Sequence, residues 1–90
     1  MIPDNEHILV VEDDVQVAQL LRTTLETEGR QVLTAHSGEE ALRVARERRP
    51  DLISLDIKLP DLDGFEVLQL LKRAPETASI PVVIVSVVPD

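Results

Sequence analysis

The 90-residue chain contains no cysteine, tryptophan or tyrosine, and it has a single phenylalanine. The missing cysteine excludes disulfides, zinc–thiolate sites and thiol nucleophiles. With almost no aromatic rings, the chain cannot bind nucleic acid by stacking bases on its side chains. The sequence also lacks a signal-peptide pattern and any apolar run of membrane-spanning length, so we expect a cytoplasmic protein that contacts no membrane.

Positive charge is also scarce, since 17 acidic residues face 9 basic ones and the formal net charge is -8. Such a surface repels phosphate backbones, so we expect no direct binding of nucleic acid. A divalent cation, in contrast, suits an acidic surface. Hydrophobic residues make up 43% of the chain, and their periodic blocks predict a single folded domain spanning residues 1–90.

The apolar blocks alternate between two periodicities. Short runs rich in β-branched residues predict four buried strands, at His7–Val11, Gln31–Ala35, Leu52–Leu55 and Pro81–Ser86. Helical spacing between them predicts three helices, which begin at Val15, at Ser37 and after Gly64. The apolar side of the first helix is predicted to comprise Val17, Leu20, Leu21 and Leu25, and that of the third Phe65, Val67, Leu68 and Leu71. Glu40 follows Ser37 at the spacing of a capping box, while Gly29 and Pro50 mark the ends of the first two helices.

The order β-α-β-α-β-α-β predicts a doubly wound α/β fold with a parallel sheet covered on both faces. If the strand order is 2-1-3-4, the first and third strands are neighbours, about 4.8 Å apart. Ligand sites in such sheets lie beyond the carboxyl ends of the strands, near the switch in strand order. The residues that follow these strands are therefore the candidate functional residues.

Carboxylates follow both of these strands: Glu12 and Asp13 come after the first, and Asp56 ends the third. Each alone has an ordinary explanation, as a favourable charge at a helix N-terminus or as a strand end. Asp14 is better explained as the N-cap of the first helix. Together, Glu12, Asp13 and Asp56 would repel one another unless a cation neutralises them, and oxygen ligands of this number suit Mg²⁺.

Three segments, "ILVVEDD", "LDIKLPDLDGFEVL" and "PVVIVS", resemble the receiver domain of two-component response regulators, which has a flavodoxin-like fold. The resemblance runs from about Ile8 to Val88. Its most specific element is the spacing Asp-x-x-x-Pro-x-x-Asp-Gly, from Asp56 to Gly64.

The resemblance implies a role for each matching residue. Asp56 would be the phosphoacceptor, and Asp13 would be the main acidic Mg²⁺ ligand, with Glu12 acting directly or through water. The backbone carbonyl of Lys58 would be a further ligand, and the Ser86 hydroxyl would contact the phosphoryl group. The implied phosphoryl donor is a sensor histidine kinase or a phosphotransfer protein, and phosphorylation would switch the conformation that regulates an output.

The chain also departs from the family pattern. Receiver domains usually continue with a fourth helix, a fifth strand ending in lysine and a fifth helix, which these 90 residues lack. We therefore expect a truncated receiver, with the fourth strand at the sheet edge. Its apolar segment Val82–Val88 predicts self-association by strand pairing.

Two functions stay open: a phosphoacceptor module, or a degenerate or truncated receiver that acts as an interaction module without productive phosphorylation. An enzyme is not expected. The glycine-rich nucleotide-binding motifs are absent, and Lys58 stands where an aspartyl phosphatase would place its second aspartate.

Overall fold

The computed structural model describes residues 6–85. Its seven elements are β1 (His7–Val11), α1 (Val15–Thr27), β2 (Gln31–Ala35), α2 (Gly38–Arg48), β3 (Leu52–Asp56), α3 (Gly64–Arg73) and β4 (Val82–Val85). The predicted order of elements is confirmed. The third strand extends one residue further than predicted, to Asp56. The predicted end of β4, Ser86, lies outside the described residues.

The strands form one parallel sheet in the order β2-β1-β3-β4. The doubly wound α/β fold and the strand order predicted from the sequence are both confirmed. In the register of the sheet, Val11 on β1 pairs with Leu55 on β3, and Asp56 pairs with Val85 on β4. The carboxyl ends of β1 and β3, the two central strands, therefore lie side by side at the same end of the sheet.

Alternating side chains divide the core between the two faces of the sheet. On one face, Leu9, Val11, Ile53 and Leu55 join a buried cluster with residues of α2 and α3: Ala41, Ala45, Val67 and Leu71. On the other face, Ile8 and Val10 pack with Val32 beneath Leu21 and Leu25 of α1. Both faces are thus used, as the near-continuous apolar character of β1 requires.

The α1 face is only partly covered. Helix α1 packs against β1 and β2. An open cavity of about 240 Å³ lies between α1 and β4, lined by Ile8, Leu21, Thr24, Leu25, Leu52, Ser54 and Val83. As a result, Val83 is 50% exposed.

Two apolar side chains differ from the sequence pattern. Leu20 is 68% exposed although its spacing predicted a buried position in α1, and Phe65 of α3 is 53% exposed. That prediction for Leu20 was wrong because helix α1 turns Leu21 and Leu25 toward the sheet instead. No helix within residues 6–85 is long and apolar enough to cross a membrane.

Two helix ends follow the predicted signals. Gly29, just past α1, has a φ of 87°, and an added Cβ would meet nothing within 4 Å. The need for glycine there is therefore conformational and not steric. At the end of α2, Arg49 adopts a left-handed φ of 45° immediately before Pro50, which cannot continue the helix.

Candidate metal centre

Glu12, which follows β1, and Asp56, which ends β3, lie on the same face of the sheet. Ile8 and Val10 face α1, so strict alternation carries Glu12 to the same side. Leu52 also packs on that face, and the same alternation brings Asp56 there from β3. Because Val11 and Leu55 are paired, Glu12 and Asp56 are the next residues along two neighbouring strands.

The structure brings the three carboxylates together. Glu12, Asp13 and Asp56 each offer one oxygen, and these oxygens all lie within 4.8 Å of one another. Glu12 is only 9% exposed, Asp56 is half-buried and Asp13 is exposed. The cluster is thus accessible from solvent on the Asp13 side, as entry of an ion requires.

The electrostatics of this cluster are unfavourable without a cation. The pKa of Glu12 is raised to about 7, mainly by burial and also by the neighbouring Asp56 and Asp13 carboxylates, against the lowering effect of the Asp14 amide. That amide donates to Glu12 Oε1 at 3.2 Å. Within residues 6–85, no lysine or arginine forms an ion pair with any of the three carboxylates.

This donor set fits a hard divalent cation. Carboxylate oxygens at short mutual distance, with one side open to water, suit Mg²⁺, which keeps several waters when it binds. The adjacent Asp14 is engaged elsewhere, as predicted. Its Oδ1 accepts the amides of Gln16 and Val17 as the N-cap of α1.

The remaining candidate residues are only partly placed. The Lys58 amide donates to Asp56 Oδ1 at 3.3 Å, so the backbone two residues past Asp56 lies against its carboxylate. The role of the Lys58 carbonyl as a ligand stays a prediction. Ser86 lies outside the described residues, and its role as a phosphoryl contact stays a prediction as well.

Gly64 allows the chain to fold back closely on Asp56. A Cβ at this position would lie 2.6 Å from the Asp56 carbonyl oxygen and 2.7 Å from the Ile57 Cα. These are backbone atoms that cannot move aside. The Gly64 amide also donates to the Ile57 carbonyl at 2.8 Å. The glycine of the Asp-x-x-x-Pro-x-x-Asp-Gly spacing is therefore required by close backbone contact.

His36 contacts the backbone of Glu12 from the β2 side, which the sequence pattern did not indicate. Its Nδ1 lies 2.9 Å from the Glu12 carbonyl oxygen. The His36 amide donates to Glu40 Oε1 at 2.7 Å, so the glutamate of the predicted capping box reaches the residue before Ser37. Ser37 itself accepts the Glu40 amide as the N-cap of α2.

Asp61 is a second residue that the sequence pattern does not single out. Its carboxylate accepts the amides of Gly38 at 2.7 Å and Glu39 at 2.9 Å. These donors belong to α2, far away in sequence, so no local motif could predict the contact.

Comparison with known protein families identifies the family to which this fold belongs. The response regulator receiver domain family matches residues 8–90, which include Glu12, Asp13 and Asp56. The chain belongs to this family. Receiver domains are regulatory modules of two-component signalling and not classical enzymes, and they bind Mg²⁺ at an acidic site. They interact with histidine kinases or phosphotransfer proteins.

Individual relatives of this receiver domain agree with that assignment. The chain is 42% identical over 79 residues to the transcriptional regulatory protein AfsQ1 of Streptomyces coelicolor, covering 88% of this chain and 34% of that protein. It is also 42% identical over 79 residues to the polar-differentiation response regulator DivK of Brucella anthropi, covering 88% of this chain and 64% of that protein.

A solved structure supports the fold of the receiver domain. The N-terminal domain of a response regulator receiver protein from Methanoculleus marisnigri superimposes with a TM-score of 0.88 at 39% identity, covering 93% of this chain and 68% of the other. Of the two relatives named above, the chain spans about a third of AfsQ1 and just under two thirds of DivK.

Proposed function

We propose that this chain is a phosphoacceptor module of a two-component system, with Asp56 accepting a phosphoryl group from a sensor histidine kinase or a phosphotransfer protein. The observation that carries the proposal is the cluster of Glu12, Asp13 and Asp56, whose oxygens lie within 4.8 Å of one another at the ends of adjacent strands. The pKa of Glu12 is raised to about 7, partly by the charges of Asp56 and Asp13. A bound cation would relieve this repulsion, which supports a cation site here.

The chemistry follows from the residues at the end of β3. An oxygen of the Asp56 carboxylate attacks the phosphorus, and the bond between phosphorus and the donor's imidazole nitrogen breaks. The electron pair stays on that nitrogen. Glu12, Asp13 and Asp56 would hold Mg²⁺, which when bound would neutralise charge on the carboxylates and on the phosphoryl oxygens.

The chain itself supplies orientation. Strand β3 is held between β1 and β4, and the Lys58 amide fixes Asp56 Oδ1 at 3.3 Å. In this proposal the Lys58 carbonyl completes the protein ligands of Mg²⁺, and the Ser86 hydroxyl contacts the transferred group. The acyl phosphate adds about 1.5–2 negative charges, which would shift the conformation that controls an output.

Intact mass spectrometry tests the proposal. After incubation with Mg²⁺ and acetyl phosphate, the wild-type chain should gain the mass of one phosphoryl group, and Asp56→Asn should gain none. Asp51→Asn is a matched control, because Asp51 lies beside the other end of β3 and binds the His7 amide. It should be labelled like the wild type. A wild type that gains no mass, or an Asp56→Asn variant that gains the same mass, contradicts the proposal and leaves the interaction-module alternative.

We also propose that the chain associates with a second copy through Val82–Val88, of which Val82–Val85 lie within the described residues. Strand β4 is at the edge of the described sheet, and its Val83 and Val85 are 50% and 37% exposed. An apolar edge strand of this kind offers unpaired backbone groups to another chain.

Sedimentation velocity across the micromolar range tests the association. The wild type should show a concentration-dependent dimer, and Val83→Lys should shift it toward monomer. Leu20→Lys provides the control, because Leu20 is also apolar and exposed but lies on α1, away from the sheet edge. A wild type that sediments as a monomer at every concentration rules the association out. A cytoplasmic location and the lack of direct nucleic-acid binding stay predictions from the sequence.

A further inference from the structure

The loop between β3 and α3 is tied to helix α2 by one side chain. Asp61 Oδ1 accepts the Gly38 amide at 2.7 Å, and Asp61 Oδ2 accepts the Glu39 amide at 2.9 Å. Both donors lie in the first turn of α2, where backbone amides have no partner within the helix. The next amide, that of Glu40, is accepted by Ser37 Oγ at 3.1 Å. Helix α2 is therefore capped both by its own N-cap and by a residue from a distant loop.

Close packing accompanies these hydrogen bonds. A Cβ on Gly38 would lie 2.8 Å from Leu62 Cβ and 2.9 Å from Val67 Cγ2. The residue after Asp61 and the second turn of α3 therefore press directly on the first residue of α2. This close contact is possible because residue 38 is glycine, so the exposed Asp61 side chain binds α2 directly beside a packed contact between the loop and the helix.

The same loop is closed at its base next to the acidic cluster. The Lys58 amide donates to Asp56 Oδ1 at 3.3 Å, and the Gly64 amide donates to the Ile57 carbonyl at 2.8 Å. Lys58 and Asp63 form an antiparallel bridge across the loop. The loop thus has one set of contacts at its base, beside Asp56, and a second set at Asp61, on α2.

The ionisation of Asp61 fits this arrangement. The amides of Glu39 and Gly38 hold the pKa of the Asp61 carboxyl below its ordinary value. A negative charge at the first turn of α2 is also favoured by the helix dipole.

We propose that Asp61 is a positioning residue: by binding the Gly38 and Glu39 amides, it holds the β3–α3 loop on α2 and so fixes the Lys58 backbone beside Asp56. The part of this inference that concerns Lys58 as a metal ligand rests on the proposed function. The part that concerns the order of the loop does not depend on a metal.

The first experiment therefore measures the loop without metal. Amide hydrogen exchange and ¹⁵N chemical shifts of residues 57–63 are compared among wild type, Asp61→Ala and Ser37→Ala. Both variants remove a capping group from the same helix, but only Asp61→Ala cuts the link to the loop. We expect exchange at Lys58 to accelerate on the order of tenfold in Asp61→Ala and to change less than about twofold in Ser37→Ala. Leu62 is left out of this comparison, because its own amide donates to Asp61 Oδ1 at 2.9 Å.

The second experiment measures Mg²⁺ binding by calorimetry under conditions where circular dichroism shows native helix content. Asp61→Ala should raise the Mg²⁺ dissociation constant on the order of tenfold, the size of effect seen for groups that orient metal ligands. Ser37→Ala should leave it unchanged. Asp61→Asn keeps one acceptor oxygen and should fall between wild type and Asp61→Ala, and it replaces the alanine variant if that variant does not fold.

The outcomes are separable. Unchanged loop exchange in Asp61→Ala, or an equal change in Ser37→Ala, overturns the link between the loop and α2. An unchanged Mg²⁺ affinity in Asp61→Ala overturns its positioning role. A wild type that binds no Mg²⁺ contradicts the proposed function, and in that case the metal-free exchange data alone decide whether Asp61 holds the loop.

Discussion

The carboxylates of Glu12 and Asp61 lie in environments that shift their pKa values in opposite directions. Burial beside Asp56 and Asp13 raises the pKa of Glu12 to about 7. The amides of Glu39 and Gly38 lower the pKa of Asp61 below its ordinary value. The chemical group is the same in both places, and the difference comes from what surrounds it.

The fold itself supplies hydrogen-bond donors to Asp61. The cluster around Glu12 lacks a neutralising partner within the described residues and needs a cation from solution. The first amides of α2 need acceptors, and the Asp61 carboxylate accepts hydrogen bonds from two of them. Glu12 is crowded by like charges, and folding alone does not neutralise them. A cluster of the second kind costs stability and is therefore a better indicator of a binding function than acidity alone.

The largest expected effect is stabilisation by Mg²⁺. A ligand that binds only the folded state at 100 times its dissociation constant adds about 2.7 kcal/mol to the free energy of unfolding. We expect a corresponding rise in Tm on adding Mg²⁺, measured by far-UV circular dichroism because the chain has no Trp or Tyr. Asp13→Asn should reduce the rise and Asp51→Asn should not. An equal rise in Asp13→Asn would show that the ion binds elsewhere.

The second expected effect is a pH dependence of the metal-free protein. Between the ordinary pKa of 4.5 and the folded value of about 7, Glu12 binds a proton in the folded chain that the unfolded chain has lost. Stability from Glu12 is therefore present at low pH and lost as pH rises through 7, by on the order of 2 kcal/mol between pH 5 and 8.

Urea unfolding in EDTA at several pH values measures this slope. Glu12→Gln should flatten it, because the amide does not titrate. Glu47→Gln is the control, since Glu47 pairs with Arg43 on the exposed surface of α2. A slope that survives in Glu12→Gln assigns the pH dependence to another group.

A smaller effect is expected from Asp56→Asn in the absence of metal. Removing the charge beside Glu12 should stabilise the chain by about 1 kcal/mol at pH 8, because the two carboxylates repel each other across partly exposed surroundings. Urea unfolding in EDTA measures the change. A loss of stability would mean that the Lys58 hydrogen bond to Asp56 outweighs the repulsion.

The smallest effect, with the opposite sign, is expected from Asp61→Asn. It should lower the free energy of unfolding at neutral pH, because Oδ2 no longer accepts the Glu39 amide. Since the folded pKa of Asp61 is lowered, its contribution is present above the ordinary value of 3.8 and is lost as pH falls through the folded value. The difference from wild type should therefore shrink in acid. A stabilising Asp61→Asn would remove the contrast with Asp56.

Much of the fold was predictable because its signals are local. The runs HILVV and QVLTA became β1 and β2 with the predicted bounds, since short β-branched runs between turn residues have few alternatives. The burial of individual helix residues was less predictable. Leu20 and Leu21 are both apolar, and only the placement of α1 over β1 and β2 selects Leu21 for the core.

The sequence by itself determined the order of strands and helices, the caps at Asp14 and Ser37, and the positions of the carboxylates that follow β1 and β3. Each of these depends on residues within one turn or one strand. The tertiary structure decided how closely Glu12 approaches Asp56, how far its pKa rises, and which helix Asp61 caps. These depend on distances between segments that lie more than 20 residues apart, and such distances exist only once the sheet has formed.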